Sequence, residues 1–180
     1  MFVDEVGFLM LPTVRRTWSP RGHTPILRHR TRSHKKISTI GALSISPGRR
    51  RLGLYLHWHP NKNIATAEVI LFLRDLLRHL RGKVILIWDR LNAHRSIQLQ
   101  CWRAAYPRLL IEWLPPYAPE LNPIEYVWGN AKYHRMSNHG LYELDEVYEQ
   151  ARRETDDIAN NQTLLRSFVR AAGLPIRLST

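Results

Sequence analysis

The chain has 180 residues, among them 27 Lys or Arg and 15 Asp or Glu, which leaves a formal net charge of +12. This length predicts one domain with its own core, and the charge favours nucleic acid as the partner, because basic side chains set against phosphates release condensed counterions. The chain has no apolar run of the roughly 20 residues that span a membrane, and its acidic N-terminus does not resemble a signal peptide. Its single cysteine, Cys101, excludes an internal disulfide. The sequence therefore predicts an intracellular protein in which Cys101 is a small buried side chain.

Short extended segments dominate the first sixty residues. An apolar run over residues 2–9, interrupted by two acids, predicts a strand. The turn-rich sequence TWSPRGHTP then leads into a second extended segment, ILRHR. The alternating sequences KKISTIGALSIS and GRRRLGLYLHWH predict two strands of a hairpin, joined by a Pro-Gly turn. The first third of the chain is therefore predicted to form an antiparallel meander.

Helices and strands alternate in the second part of the chain. Apolar residues at helical spacing predict a helix over about 66–80, and Ser96 is a suitable cap for another. Between them, KVILIWD is so uniformly apolar that it predicts a strand buried in the middle of a sheet. LLIEWL predicts one more strand, and Pro123 begins a further helix. This order of elements is typical of an α/β domain.

Two acids stand where strands normally carry apolar side chains. Asp4 lies within the first predicted strand, and Asp89 ends the most hydrophobic one. Either acid alone could be a turn or capping residue, but burying an unpaired carboxylate is costly, and binding groups in open α/β sheets gather beyond the carboxyl ends of strands. If the two strands are neighbours, their carboxylates meet, and a divalent cation such as Mg²⁺ would offset the repulsion.

Glu125 has two interpretations. The spacing of Asn122, Pro123 and Glu125 is that of a helix start with a capping box, in which the glutamate would reach back to the Asn122 amide. Helical spacing also places Trp128 and Lys132 on the side of Glu125. That arrangement would suit a catalytic carboxylate with a cation nearby for a phosphate. The residues alone leave both interpretations open.

Three blocks of the sequence stand out: VDEVGF, IWDRLNAH and LPPYAPELNPIEYVWGNAK. They resemble the signature blocks of mariner-like bacterial insertion-sequence transposases, which are DDE superfamily endonucleases. Thirty-five residues separate Asp89 from Glu125, close to the interval of that family. The resemblance implies an RNase H-like α/β fold, with a mixed five-stranded sheet of three antiparallel strands followed by two parallel ones, flanked by helices. It also implies a catalytic domain over 1–140, which the charged residues 141–180 extend as helix.

Carried over residue by residue, the resemblance implies a triad that both binds metal and catalyses: Asp4, Asp89 and Glu125. His94 and Asn122 would lie near this active site, although an exposed His94 at the entry to a helix is an alternative that the residues favour almost as much. Glu5 should point to the opposite face of its strand by simple alternation. We therefore expect Glu5 to lie outside the metal's ligands.

The chemistry implied by the resemblance is phosphodiester cleavage and strand transfer with two Mg²⁺ ions roughly 3.5–4 Å apart, for which Mn²⁺ could substitute. One ion would activate water or a DNA 3′-hydroxyl, and the other would stabilise the leaving oxygen. The implied partner is double-stranded DNA, comprising the element's ends and a target that relatives favour as an easily deformed TA step. A homodimer on DNA, in a bacterial cytoplasm and associated with the nucleoid, is compatible with this function.

Basic segments supply further candidate contacts to DNA. One is the run RHRTRSHKK, another is the turn GRRR, and the third is the lysine that follows Glu125 in the last block. A charge run can also be only a solvated face, so phosphate contact is one of two interpretations. The candidate DNA-binding residues are Arg28, Arg30, Arg32, Lys35, Lys36, Arg49, Arg50, Arg51 and Lys132.

No segment resembles the helix-turn-helix DNA-binding domain that relatives place before the catalytic domain. Two functions therefore stay open. The first is a DDE transposase catalytic domain that cleaves DNA and transfers strands, and the second is a truncated remnant that binds DNA nonspecifically without transposing. A further hypothesis is an RNase H-like nuclease acting on another nucleic acid.

Overall fold

The computed structural model describes residues 1–11, 13–27, 35–89, 94, 96–140 and 143–179. The strands are β1 (Phe2–Leu9), β2 (Lys36–Ile45), β3 (Leu52–Pro60), β4 (Val84–Trp88) and β5 (Leu109–Trp113). The α-helices are α1 (Thr66–His79), α2 (Ile97–Ala104), α3 (Pro123–Gly129), α4 (Leu144–Asn160) and α5 (Gln162–Ala171). A 3₁₀ turn, Pro119–Leu121, precedes α3, and a π-helical segment, Asn130–Arg135, continues it.

The five strands form one sheet in the order β3-β2-β1-β4-β5. Strands β1, β2 and β3 pair antiparallel, whereas β4 runs parallel to β1 and β5 runs parallel to β4. The predicted mixed sheet of three antiparallel and two parallel strands is confirmed. The carboxyl ends of β1 and β4 consequently point the same way, which is the condition for Asp4 and Asp89 to approach each other.

Each face of the sheet has its own apolar core. On the α1 face, helices α1 and α2 pack against residues such as Val3 and Leu86. On the α3 face, helices α3, α4 and α5 pack against residues such as Phe8 and Leu43. Side chains alternate along a strand, so odd-numbered residues of β1 up to Gly7 face α1, and even-numbered residues face α3.

Helices α4 and α5 belong to the core of the α3 face. Their apolar side chains Val147, Ile158, Leu165 and Phe168 are buried there together with residues of α3. In the described parts of the chain, no helix combines the length and the apolar character that crossing a bilayer requires. The helices instead bury one apolar stripe each against the sheet.

Three expectations from the sequence need correction. The sequence predicts that strand β4 is buried in the middle of the sheet. It does lie between β1 and β5, but Ile85 is 51% exposed, and its partner Leu110 on β5 is 45% exposed. The helices of the α3 face cover β1 to β3 and leave this part of the sheet open. Cys101 is exposed on α2 rather than buried. Residues 26–27 of the predicted segment ILRHR are not in a strand, and its remaining residues lie outside the described ones.

Candidate active site

Asp4 and Asp89 lie side by side on neighbouring parallel strands. Phe2 of β1 pairs with Ile87 of β4, and each acid follows two residues later on its own strand or just beyond its end. Both acids line a cavity of about 460 Å³, and Glu125, at the start of α3, lines the same cavity. The three predicted acids are therefore brought together, although 120 residues of chain separate the first from the last.

The Asp4 carboxylate is held from the α3 face by one tryptophan. Trp128 Nε1 donates a hydrogen bond to Asp4 Oδ2 at 3.0 Å, and both side chains are buried. The indole can lie this close to the sheet because Gly41, the β2 partner of Asp4, has no side chain. A Cβ on Gly41 would lie only 2.6 Å from the indole of Trp128.

The capping interpretation of Glu125 is wrong. The Asn122 amide, which a capping glutamate would need, donates instead to Pro119 O at 2.9 Å. The Asn122 side chain does not cap the helix either, because its Nδ2 donates to Val3 O at 3.2 Å and so ties the start of α3 to β1. Asn122 and Pro123 set where the helix begins, and the Glu125 carboxylate is left to the cavity.

Burial and mutual repulsion make the acids reluctant to ionise. Burial raises the pKa of Asp4 to about 8, helped by the charges of Glu125, Glu5 and Asp89. Burial also raises the pKa of Glu125, against the attraction of Lys132 and with the repulsion of Asp89. The pKa of Lys132 is lowered by burial, although Glu125 and Asp4 both oppose the change. Lys132 alone therefore does not offset the cost of ionising these acids.

The donor set suits a hard divalent cation. Three carboxylates line the cavity, and the buried Asn122 Oδ1, on the same wall, has no hydrogen-bond partner. Such oxygen ligands are those that Mg²⁺ prefers. In the described ranges, no three His, Cys, Asp or Glu side chains already converge closely enough to hold an ion. The carboxylates must therefore turn inward to bind one.

The sequence did not reveal how Asp89 is held. His94 is 2% exposed, its Nδ1 lies 2.7 Å from Asp89 Oδ1, and its Nε2 lies 3.0 Å from Glu5 Oε1. Its ring stacks on Trp88 with centroids 3.6 Å apart. Burial alone would lower the pKa of His94, but the hydrogen bonds to Asp89 and Glu5 raise it to about 9. The alternative of an exposed His94 is therefore wrong.

Glu5 is the functional residue that sequence reasoning missed. It lies on the α1 face, as alternation predicted, and among the described residues its side chain contacts the site through the imidazole of His94. Its partner is 89 residues away in the chain, so spacing could not identify it. The available signal was an acid on the inward face of an otherwise apolar strand, which needs a buried partner.

The candidate DNA-binding residues divide into three groups. Lys132 lies beside the acids, with its Nζ 5.6 Å from the centroid of the Phe8 ring. Two other groups lie at opposite ends of β2. With a rise of about 3.3 Å per residue, each group lies about 17 Å along the strand from the residue of β2 that pairs with Asp4. These are Lys35 and Lys36 at the start of β2, and the exposed turn residues Arg49, Arg50 and Arg51. Arg28, Arg30 and Arg32 lie outside the described residues.

Comparison with known protein families matches residues 1–147 to a family described as DDE superfamily endonuclease. Comparison with the sequences of curated proteins gives no match. The matched residues include all three acids, His94 and Asn122.

Solved structures of Mos1 transposase share the fold. The paired-end complex with the left transposon end is 16% identical, covers 95% of this chain and 50% of that chain, and has a TM-score of 0.69. The strand transfer complex is 16% identical over 97% of this chain and 55% of that chain, with a TM-score of 0.63. The mariner paired-end complex with Mg is 16% identical, covers 95% of this chain and 52% of that chain, and also has a TM-score of 0.63. The chain thus spans about half the length of these transposase chains, and the RNase H-like fold is confirmed.

Proposed function

The chain belongs to the DDE superfamily endonucleases, and we propose that it is the catalytic domain of a transposase that cuts DNA strands and joins the cut ends to a target. The observation that carries this proposal is the meeting of Asp4, Asp89 and Glu125 around one cavity. The three acids come from two parallel strands and a helix start, and Glu125 does not serve the capping role that would otherwise explain it.

We propose that the three acids hold two Mg²⁺ ions, or Mn²⁺ in their place. Bound there, the ions would supply Lewis acidity, which activates the attacking hydroxyl and stabilises the leaving oxygen of an in-line displacement. The raised pKa of Asp4 supports this proposal, because a divalent cation favours the ionised carboxylates that burial and repulsion disfavour. The Mos1 paired-end complex with Mg supports it by analogy.

The chain's own residues would prepare the acids for this task. Trp128 orients Asp4 through a single N–H donor. Glu5 and His94 act as positioning residues, because they hold Asp89 in place without lining the acid cavity themselves. Lys132 lies where its charge can meet a DNA phosphate beside Glu125, since both carboxylates that attract it belong to the site.

We propose duplex DNA as the partner, consisting of the element's ends and a target. The net charge of +12 and the exposed arginines of the β2–β3 turn support it. The Mos1 complex with a transposon end is a structural precedent of the same fold. The TA target, the homodimer on DNA and the cytoplasmic, nucleoid-associated location stay predictions of the family resemblance.

A nicking assay on supercoiled plasmid tests the function. The wild-type chain should nick DNA when Mg²⁺ or Mn²⁺ is present and should not when the metal is chelated. Asp89→Asn and Glu125→Gln should each lower the rate by at least a hundredfold, because each removes a charged ligand that stabilises the transition state.

Glu120→Gln is the matched control. Glu120 is an exposed acid five residues before Glu125, and it lies outside the acid cavity. Its variant should nick at the wild-type rate. Equal nicking by all four proteins, or DNA binding with a steep salt dependence and no nicking by any, would refute the proposed function.

A further inference from the structure

Tyr117 is fully exposed at the rim of the acid cavity. Its ring projects from the loop between β5 and the 3₁₀ turn, and the residue lines the same cavity as Asp4, Asp89 and Glu125. Within the described ranges, its side chain makes no hydrogen bond and no ring contact with any other residue. A large aromatic group is thus presented to whatever enters the site.

The backbone of Tyr117 is strained as well. Its φ is +57°, in the left-handed region that bulky side chains rarely adopt. Such conformations persist where the surrounding structure imposes them, and they concentrate at functional sites. An exposed aromatic ring on strained backbone is doubly unfavourable for the isolated protein, so folding stability does not explain it.

The loop fixes the backbone of Tyr117 relative to the acids. Prolines at 115, 116 and 119 restrict the backbone on both sides of Tyr117. At one end, Leu114 N donates to Trp88 O at 2.8 Å, directly before Asp89. At the other end, Asn122 N donates to Pro119 O at the start of the helix that carries Glu125. The backbone that carries the ring is therefore tied to the segments of two of the three acids, so the ring is presented at one place on the rim.

We propose that Tyr117 is a base-stacking residue, whose ring holds an unpaired nucleobase of the DNA strand next to the phosphate that is cut. This inference rests on the proposed function, because it names the part of the substrate that the rim of the same site recognises. Aromatic rings stack on any base, and the loss of one such contact typically weakens binding about 5- to 150-fold. A base must leave the DNA duplex to stack on Tyr117, so the site should prefer DNA that is already unpaired at that position.

The test uses 2-aminopurine, whose fluorescence falls when it stacks. The cut position is first mapped with the wild-type chain, and 2-aminopurine is then placed in the nucleotide on either side of it in an oligonucleotide duplex. In an Asp89→Asn background, which binds without cutting, the fluorescence at one of the two positions should be quenched. Tyr117→Ala should restore the fluorescence several-fold, whereas Tyr117→Phe, which keeps the ring, should not.

Cleavage rates provide a second measurement. Tyr117→Ala should cut a fully paired duplex at least tenfold more slowly than wild type, and an unpaired base at the same position should recover part of the rate. Tyr117→Gly relieves the backbone strain, so it should cut as slowly as Tyr117→Ala while melting at a higher temperature. This combination separates a lost contact from a damaged fold.

The outcomes distinguish the two proposals. A wild-type chain that does not cut overturns the proposed function and this inference with it. A wild-type chain that cuts, with Tyr117→Ala equal to it in rate and quenching, overturns the inference alone. A Tyr117→Ala variant that loses self-association in sedimentation without any change in fluorescence would assign the ring to a protein contact and also overturn it.

Discussion

Asp4 and Glu5 are neighbours in β1, yet they serve one site from opposite faces of the sheet. On the α3 face, Asp4 is buried among other carboxylates, and its hydrogen-bond donor Trp128 is neutral. On the α1 face, Glu5 is paired with His94, whose pKa is raised to about 9, so the ring is cationic at neutral pH. The protein matches the carboxylates with a cationic ring on one face, whereas on the other face Asp4 holds its proton to about pH 8, so a metal ion is needed there to ionise it.

The glycines opposite and within β1 show the same difference between the faces. Gly41 faces α3, and a Cβ there would collide with the Trp128 indole at 2.6 Å. Gly7 faces α1, and among the described residues a Cβ there would meet Lys36 Cδ alone, at 3.6 Å, an ordinary contact. The α3 face is therefore packed to its limit beside Asp4, whereas the α1 face has room near Glu5.

Asp4→Asn should have the largest effect on stability, because it removes the cost of ionising a buried carboxylate. In metal-free protein the pKa of Asp4 is about 8, against 3.8 as its ordinary value. The unfolded chain therefore loses this proton near pH 4 and the folded chain only near pH 8, so wild-type stability falls as the pH rises between these values. Asp4→Asn, which keeps an acceptor for Trp128, should gain up to about 5 kcal/mol over wild type at pH 8 and nothing near pH 4.

Denaturant unfolding at a series of pH values measures this difference. Added Mg²⁺ or Mn²⁺ should raise the unfolding free energy of the wild type, because the ions bind only the folded site, and should leave Asp4→Asn much less affected. The variant should also fail to nick DNA. Parallel pH profiles for the two proteins would show that Asp4 carries no such penalty.

Gly41→Ala and Gly7→Ala compare the packing of the two faces directly. Gly41→Ala should lower the unfolding free energy by about 1–3 kcal/mol, because the Trp128 indole must move. Nicking should fall with it, since Asp4 loses its donor. Gly7→Ala should leave nicking unchanged and raise stability by about 0.5–1 kcal/mol, because alanine restricts the unfolded chain more than glycine does. Equal effects from the two substitutions would contradict the proposed difference in packing.

The parts of the molecule that were predictable depend on local pattern or on family motifs. The strand and helix order follows from periodicity, and the sheet topology follows from the resemblance. The approach of Asp4 to Asp89 was expected only if their strands were neighbours, and the pairing of Phe2 with Ile87 meets that condition. These features are encoded within single segments, or in motifs that a family shares.

The parts that were not predictable depend on contacts between distant segments. The apolar residues of β4 indicate a buried strand, but only the placement of the helices shows that Ile85 is left exposed. Asn122 has the sequence pattern of a helix cap, yet its side chain donates a hydrogen bond to a carbonyl on β1 instead. The need for Gly41 becomes visible only when the Trp128 indole is placed over it. The residue spacing within one segment cannot predict these contacts, because the partners lie on other segments of the chain.

Glu5→Gln should produce a smaller change than Asp4→Asn, because the α1 face keeps its shape and loses only a charge. The raised pKa of His94 stabilises the fold fully below the ordinary value of 6.5, and this contribution is lost as the pH rises through about 9. Without the Glu5 charge the His94 pKa falls, so the loss begins at lower pH. We expect about 1–2 kcal/mol less stability at pH 7.5. The nicking rate should fall about tenfold, because groups that orient metal ligands typically contribute at least that factor to activity.

The NMR titration of the His94 ring in metal-free protein measures this effect at its source. Its midpoint should lie near 9 in the wild type and clearly lower in Glu5→Gln, whereas Glu112→Gln, which changes an exposed acid on β5, should leave it in place. Because His94 joins Glu5 to Asp89, a reduced nicking rate with an unchanged titration midpoint would mean that Glu5 acts by another route. A shifted midpoint with an unchanged rate would instead mean that the metal ions alone suffice to hold Asp89.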